Sequence, residues 1–186
     1  MVAELKKARD IAASADGKCQ GLIGYNIMVA TKDYADYVKT AALAGADVII
    51  SGAGLPVDLP EYVTGTDTKI APIVSSEKAA RIILKMWDRR YKRTADFVVI
   101  EGAHAGGHLG FSREELAHLY EPDYEANYDD EIRRIIACVH EYGEKYGVHI
   151  PVITAGGIMN ARQVQHAFAL GAEGVQVATP FVTTEE

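Results

Sequence analysis

Short apolar runs alternate with amphipathic stretches along the whole chain. Six of these runs are rich in valine and isoleucine and are apolar at successive positions rather than alternate ones. That pattern is typical of strands in a parallel sheet that is covered on both faces. The runs span residues 22–29, 47–51, 70–74, 96–100, 150–154 and 174–178. The sequence therefore predicts an α/β fold built on a parallel sheet.

Three of the intervening stretches carry apolar residues at the spacing of an amphipathic helix. The first follows Ser76, a plausible N-cap, the second ends at Gly147, and the third lies between Asn160 and Gly171. Serine and asparagine favour helix N-caps, and glycine favours the position just after a helix. Repeated helix–strand units with tight turns predict a βα architecture.

Residues 1–186 contain no linker-like or low-complexity stretch, so we expect a single domain. A closed (β/α)₈ barrel needs eight strands and typically ~250 residues. Six strands would leave two unpaired parallel edges, so we expect a barrel-type domain from which segments are absent. The polar segment 112–130 is either a short helix plus loop lying over the strand ends or a solvated excursion. We favour a surface insertion that helps to cover the site.

Composition and charge argue against some classes of binding partner. The chain has 186 residues, 48% hydrophobic and 24% charged, with a formal net charge of −7. This acidic balance argues against nucleic acid and anionic membrane as partners, because both require a basic face. It still permits a cofactor that carries phosphate, since backbone amides can bind phosphate without a lysine. Two cysteines outside any CxxC pattern and the lack of a signal-peptide core favour a cytoplasmic protein.

Candidate chemistry is concentrated in loops that follow strands. The segment 101–111 holds four glycines, which let the backbone turn sharply and approach a ligand closely. His108 ends that run, where an imidazole could exchange a proton with a substrate at neutral pH. The alternative is a loop histidine that caps a carbonyl. Gly156 and Gly157 follow the fifth strand, where backbone N–H groups of such loops often hold phosphate; taken alone, they could equally form a plain tight turn.

His104 and His108 have the i, i+4 spacing of a zinc pair. Such a pair works on a helix, and this segment is too rich in glycine to form one. No HExxH motif or cysteine set accompanies them, so we expect no metal site.

Five segments together resemble the nitronate monooxygenase family, also called 2-nitropropane dioxygenases, and its relative, the class II enoyl-acyl-carrier-protein reductase. The resemblance covers nearly the whole chain in one order. The segments are GYNIMV (24–29), ISGAGLP (50–56), AGGHLGF (105–111), PVITAGGI (151–158) and GAEGVQVAT (171–179).

The resemblance implies a TIM (β/α)₈ barrel that holds FMN at its carboxyl-terminal face. It implies a flavin-dependent oxidoreductase in which FMN takes electrons from an alkyl nitronate and returns them to O₂, giving a carbonyl compound and nitrite. His108 matches the histidine that faces flavin and substrate, where it would orient the nitronate or take a proton from a neutral nitroalkane. The positions implied to contact FMN are Asn26, Glu101, Gly106, Gly107, Gly156, Gly157, Gln176, Val177, Ala178 and Thr179.

Two alternatives stay open beside nitronate oxidation. One is an NAD(P)H-dependent FMN enoyl-acyl-carrier-protein reductase, and the other is a truncated fragment that binds flavin or phosphate without turnover. The sequence leaves the oligomeric state open, a homo-oligomer included.

The chain departs from the family pattern in three ways. Glu101 stands where glutamine is common, which would place a negative charge against the flavin and disfavour its reduced anion. Ala178 replaces a usual glycine, so a positive φ there would be strained. The family's first two strands and its segment after the last strand have no counterpart in these 186 residues.

Overall fold

The computed structural model describes residues 1–14, 21–107, 110–118 and 121–182. Six strands alternate with helices within them. Each strand lies within two residues, at either end, of the apolar run that predicted it. The strands are β1 (Gly24–Met28), β2 (Val48–Gly52), β3 (Lys69–Val74), β4 (Val98–Glu101), β5 (Val152–Ala155) and β6 (Gly174–Gln176).

The helices begin and end close to their sequence signals. Ser76 Oγ accepts a hydrogen bond from the Ala79 N–H at 3.2 Å, and Asn160 Oδ1 accepts one from the Gln163 N–H at 3.1 Å. Gly147 ends its helix in the left-handed conformation, with φ 64°. The three predicted helices are therefore confirmed. In chain order the helices are α1 (Val2–Ser14), α2 (Tyr34–Leu43), α3 (Leu59–Tyr62), α4 (Glu77–Tyr91), α5 (Arg113–Ala117), α6 (Tyr124–Tyr146), α7 (Ala161–Ala169) and α8 (Thr179–Val182).

All six strands are parallel and lie in the sheet in their chain order, β1-β2-β3-β4-β5-β6. A doubly wound sheet would reverse its strand order at a switch point. The described strands show no such reversal, and each step to the next strand carries the chain in one direction, as in a (β/α)₈ barrel. The fold is thus α/β with six barrel-type strands, as the sequence predicted.

Helices α2, α4, α6 and α7 pack against the sheet. Alternate residues of a strand point to opposite faces, so every second strand residue faces this helical layer. Close packing of this helical layer against the sheet holds the strands in place. The strand ends that form the cavity are therefore rigidly positioned. Fully buried side chains in this packed region include Val38, Ile49, Ile70, Ile83, Trp87, Val98, Ile135 and Ile150.

The polar segment 112–130 divides between two helices. Ser112 and Glu115 form a capping box that begins α5, with each side chain accepting from the other residue's N–H. Residues 124–130 form the first turns of α6, not a loop. None of the described residues of the segment lines the cavity at the strand ends, so the structure gives no support to a covering role.

No helix in the described ranges is both long enough and apolar enough to cross a membrane.

Candidate functional site

A cavity of about 510 Å³ lies at the carboxyl ends of β4, β5 and β6. In parallel α/β folds this edge of the sheet is where ligands bind, and cofactor pockets typically measure ~300–1,000 Å³. The loops that follow the three strands form its wall. The lining residues are Glu101, His104, Ala105, Gly106, Ala155, Gly156, Gly157, Ile158, Met159, Gln176, Val177, Ala178, Thr179 and Pro180.

The last residues of the three strands form one row across the floor of the cavity. Glu101 of β4 pairs in register with Ala155 of β5, which in turn pairs with Gln176 of β6. Residues paired in register on parallel strands point to the same face, and neighbouring strands lie ~4.8 Å apart. In this row the carboxyl group of Glu101 and the carboxamide of Gln176 therefore lie on either side of the methyl group of Ala155.

Gly156 and Gly157 are required by the protein's own backbone. Their φ angles are 96° and 76°, which an L side chain rarely adopts. A Cβ on Gly156 would lie 2.7 Å from the carbonyl oxygen of Gly102 and 2.8 Å from its nitrogen. A Cβ on Gly157 would lie 2.5 Å from the Cβ of His104. The loops after β4 and β5 are thus in direct contact through these two glycines.

The same turn offers hydrogen-bond donors. Within the described residues, the N–H groups of Gly156, Gly157 and Ile158 donate to no backbone acceptor. N–H groups without a protein acceptor can donate hydrogen bonds to a bound anion. Their position in the cavity wall fits the phosphate of the predicted FMN.

Gly106 leaves open space in the cavity because it has no side chain. It lines the cavity, yet a Cβ built there would meet no atom of the described residues within 4 Å, and the residue is not among the described glycines with positive φ. Neither packing nor backbone conformation therefore calls for glycine at this position. The missing side chain leaves room for a bound group, which is the second observation that fits a cofactor.

The structure brings most of the predicted cofactor residues to this cavity. Asn26 is an exception, because it lies in the middle of β1 with β2 and β3 between it and β4. Gly107 follows Gly106 but does not line the cavity, and His108 lies outside the described residues. Contact with FMN stays a prediction for all of them. The predicted residues that line the cavity are Glu101, Gly106, Gly156, Gly157, Gln176, Val177, Ala178 and Thr179.

Ala178 does not carry the strain that the sequence suggested. The described non-glycine residues with positive φ are Asp33, Ala53 and Lys92, so Ala178 has an ordinary backbone conformation. Alanine at position 178 therefore adds no backbone strain.

Sequence reasoning overlooked His104. The sequence suggested this residue only as one of two possible zinc ligands, whereas the structure places it in the cavity wall beside Gly157. Its position three residues after the end of β4 was the available signal, because the loops after the strands form such walls.

Glu101 is a half-buried carboxyl group in the floor of the cavity. Burial raises its pKa above the ordinary value of 4.5, because a low-dielectric environment disfavours the charged form. No hydrogen bond or ion pair joins its carboxylate to another described residue. The Glu101 carboxyl group therefore keeps its proton up to a higher pH in the folded protein than in the unfolded chain.

Replacing Glu101 with glutamine should stabilise the protein near neutral pH. A raised pKa in the folded state makes the stability contribution of Glu101 largest below pH 4.5, and this contribution is lost as the pH rises through the folded pKa. The glutamine variant cannot ionise and avoids that loss. Urea unfolding at a series of pH values should show a stability gain at neutral pH that shrinks in acid. A gain that is the same at every pH would contradict the burial of the charge.

Three aromatic rings pack behind the end of β4. Tyr128 stacks on Tyr124 with ring centroids 6.1 Å apart and contacts Phe111 at 5.7 Å. The hydroxyl of Tyr128 donates to the backbone oxygen of Glu101 at 2.8 Å. Burial raises the pKa of Tyr128, so the hydroxyl stays protonated and keeps this bond. The cluster thus holds the backbone of Glu101 in place.

The two stacked tyrosines give a matched pair of variants. Tyr128→Phe removes the donor to Glu101 and should lower the free energy of unfolding by about 1–2 kcal/mol. Tyr124→Phe should cost much less, because the buried Tyr124 hydroxyl has no hydrogen-bond partner among the described residues. Chemical denaturation of both variants measures the difference, and equal losses would contradict the role of the Tyr128 bond.

Comparison with known proteins identifies the family of the chain. A family model described as nitronate monooxygenase matches residues 1–186. A probable nitronate monooxygenase from Staphylococcus saprophyticus is 30% identical over 122 residues, which cover 66% of this chain and 27% of that protein. A second from Staphylococcus aureus strain JH9 is 32% identical over the same length and covers the same shares.

Solved structures share the fold. FabK from Thermotoga maritima aligns with a TM-score of 0.65 and 29% identity, over 96% of this chain and 48% of that one. A nitroalkane oxidase from Streptomyces ansochromogenes aligns with a TM-score of 0.63 and 18% identity, over 100% of this chain and 56% of that one. The chain thus spans about half the length of these structures and a smaller share of the curated relatives.

The family match extends over every residue of the chain, including the ends of β4, β5 and β6 that line the cavity described above. The chain therefore belongs to the nitronate monooxygenase family.

Proposed function

We propose that this chain is the FMN-binding barrel domain, residues 1–186, of an oxidoreductase that converts alkyl nitronates and O₂ to a carbonyl compound and nitrite. One observation carries the proposal. A cavity at the carboxyl ends of three parallel strands combines N–H groups that have no partner among the described residues with a glycine that leaves open space in the wall. Membership of the nitronate monooxygenase family supports the choice of substrate.

Different residues of the cavity suit the phosphate and the ring of FMN. The turn of Gly156, Gly157 and Ile158 provides donors for the single phosphate, and the hydroxyl of Thr179 lines the same wall. The row of Glu101, Ala155 and Gln176 would hold the polar edge of the ring, since a carboxamide both donates and accepts hydrogen bonds. Like charges repel, so the Glu101 carboxylate also favours the orientation that keeps the phosphate away from it.

His108 and Glu101 would have separate tasks. In this proposal the His108 imidazole takes the proton from the carbon of a neutral nitroalkane or orients a nitronate that is already ionised. Glu101 sets the charge beside the ring. When bound, FMN supplies the redox chemistry, and the protein supplies placement and electrostatics. A cytoplasmic location belongs to the same proposal.

Anaerobic reduction of the flavin tests the proposed function. The purified protein is loaded with FMN and mixed without oxygen with propionate 3-nitronate or, separately, with NADPH. Bleaching of the visible flavin band by the nitronate, with nitrite formed once O₂ is admitted, is the expected result. Rapid bleaching by NADPH and turnover of an enoyl thioester would instead favour the enoyl reductase. Bound flavin that neither reagent reduces would favour the non-catalytic alternative.

A further inference from the structure

His104, three residues after the end of β4, places an imidazole in the cavity wall beside Gly157. His104 is exposed and lines the cavity. A Cβ added at Gly157 would lie 2.5 Å from the His104 Cβ and 3.5 Å from its Cγ, so the base of the ring rests on the turn. The imidazole therefore stands beside the unpaired N–H groups of residues 156–158.

The cavity has a simple charge distribution. Among the described residues that line it there is no lysine or arginine, so His104 is the one side chain there able to carry a positive charge. Glu101 is the one acidic side chain in the same set. It belongs to the strand row of the floor, whereas His104 lies in the loop beyond the strand end. An anionic group in the cavity therefore finds hydrogen-bond donors at His104 and at the turn of residues 156–158, and repulsion from the Glu101 carboxylate.

We propose that His104 donates a hydrogen bond to the phosphate of the bound flavin and makes the cavity select FMN over unphosphorylated riboflavin. An imidazole can donate from a ring nitrogen whether neutral or protonated, and a hydrogen bond to a charged acceptor is stronger than a neutral one. The N–H groups of the turn bind the same phosphate from the backbone side. This inference rests on the proposed flavin-binding function and assigns one of its specificity determinants.

Comparing two flavins separates the phosphate contact from general damage to the cavity. Dissociation constants for FMN and riboflavin are measured by fluorescence titration on the unchanged protein, on His104→Gln and on His140→Gln. His140 is an exposed residue of α6 outside the cavity lining, which makes it a matched control. Loss of a charge-assisted hydrogen bond should weaken FMN binding about tenfold in His104→Gln. Riboflavin binding to that variant, and binding of both flavins to His140→Gln, should stay within about twofold.

A lysine variant provides the rescue. His104→Lys supplies a donor to the phosphate again and should recover most of the preference for FMN, because lysine binds phosphate as a point charge. This arm also keeps the test decisive if glutamine disturbs folding, which circular dichroism would reveal. A folded lysine variant without the FMN preference would contradict the phosphate contact.

The outcomes distinguish this inference from the function on which it rests. If His104→Gln weakens both flavins equally, or neither, His104 does not contact the phosphate, while the proposed flavin binding stands. If the unchanged protein binds neither flavin, both the inference and the proposed function are overturned.

Discussion

Replacing Gly156 with alanine is expected to lower the free energy of unfolding by about 3 kcal/mol or more. The φ of 96° strains any L residue, and the new Cβ would lie 2.7 Å from a backbone oxygen of Gly102. Backbone atoms of a neighbouring loop cannot rotate away as a side chain can. The melting temperature should fall by about 10 °C, because ~1 kcal/mol corresponds to ~2–4 °C in a domain of this size. Differential scanning calorimetry measures both quantities.

Gly106→Ala is the matched variant with the opposite expectation. Its Cβ meets no protein atom within 4 Å, so the free energy of unfolding should change by less than about 0.5 kcal/mol. FMN affinity should nevertheless fall by about tenfold, because the methyl group enters the space assigned to the flavin. An alanine at 106 that leaves FMN binding unchanged would contradict the placement of the cofactor. An alanine at 156 that leaves stability unchanged would contradict the contact between the two loops.

Replacing His108 with alanine should slow the turnover of a neutral nitroalkane by about 10²–10⁴-fold while FMN stays bound. This is the range that a positioned general base typically contributes. The expectation rests on the sequence, since His108 follows the glycines of the loop after β4 and lies outside the described residues. Steady-state oxygen consumption with the nitroalkane, together with an FMN titration, gives both quantities.

The substrate's protonation state reveals which task His108 performs. A nitronate has already lost the proton, so a variant that lacks only the base should turn it over at nearly the normal rate. Equal losses with nitroalkane and nitronate would assign His108 to orientation of the anion. Unchanged turnover of both substrates would remove His108 from the mechanism. His140→Gln serves again as the control for a surface histidine.

The fold was largely readable from the sequence because its signals are local. Runs of valine and isoleucine fixed the six strands, and Ser76, Asn160 and Gly147 fixed helix ends through hydrogen bonds or backbone conformations that only a few residue types provide. Alternation of strand and helix then predicted the parallel order. None of these inferences required knowledge of distant contacts.

The details of the cavity depend on contacts between separate loops. Gly156 looked like an element of a phosphate loop, and the structure adds that it touches Gly102, 54 residues earlier in the chain. His104 gained significance only from its place against Gly157. Asn26 failed to reach the cavity because two strands separate β1 from β4, which depends on the strand order and not on the local motif. Residues 124–130 begin α6 despite their polar composition, and Tyr128 packs its ring there against Phe111 and Tyr124.

We propose that the cavity at the ends of β4, β5 and β6 holds FMN. The most direct test of this proposal is the visible absorption spectrum of the protein after incubation with FMN and removal of unbound flavin, recorded beside the spectrum of Gly106→Ala. We expect a yellow protein with about one flavin per chain and a variant that loses most of the colour while keeping its fold. A colourless protein, or a variant that keeps all of its flavin, would contradict the account.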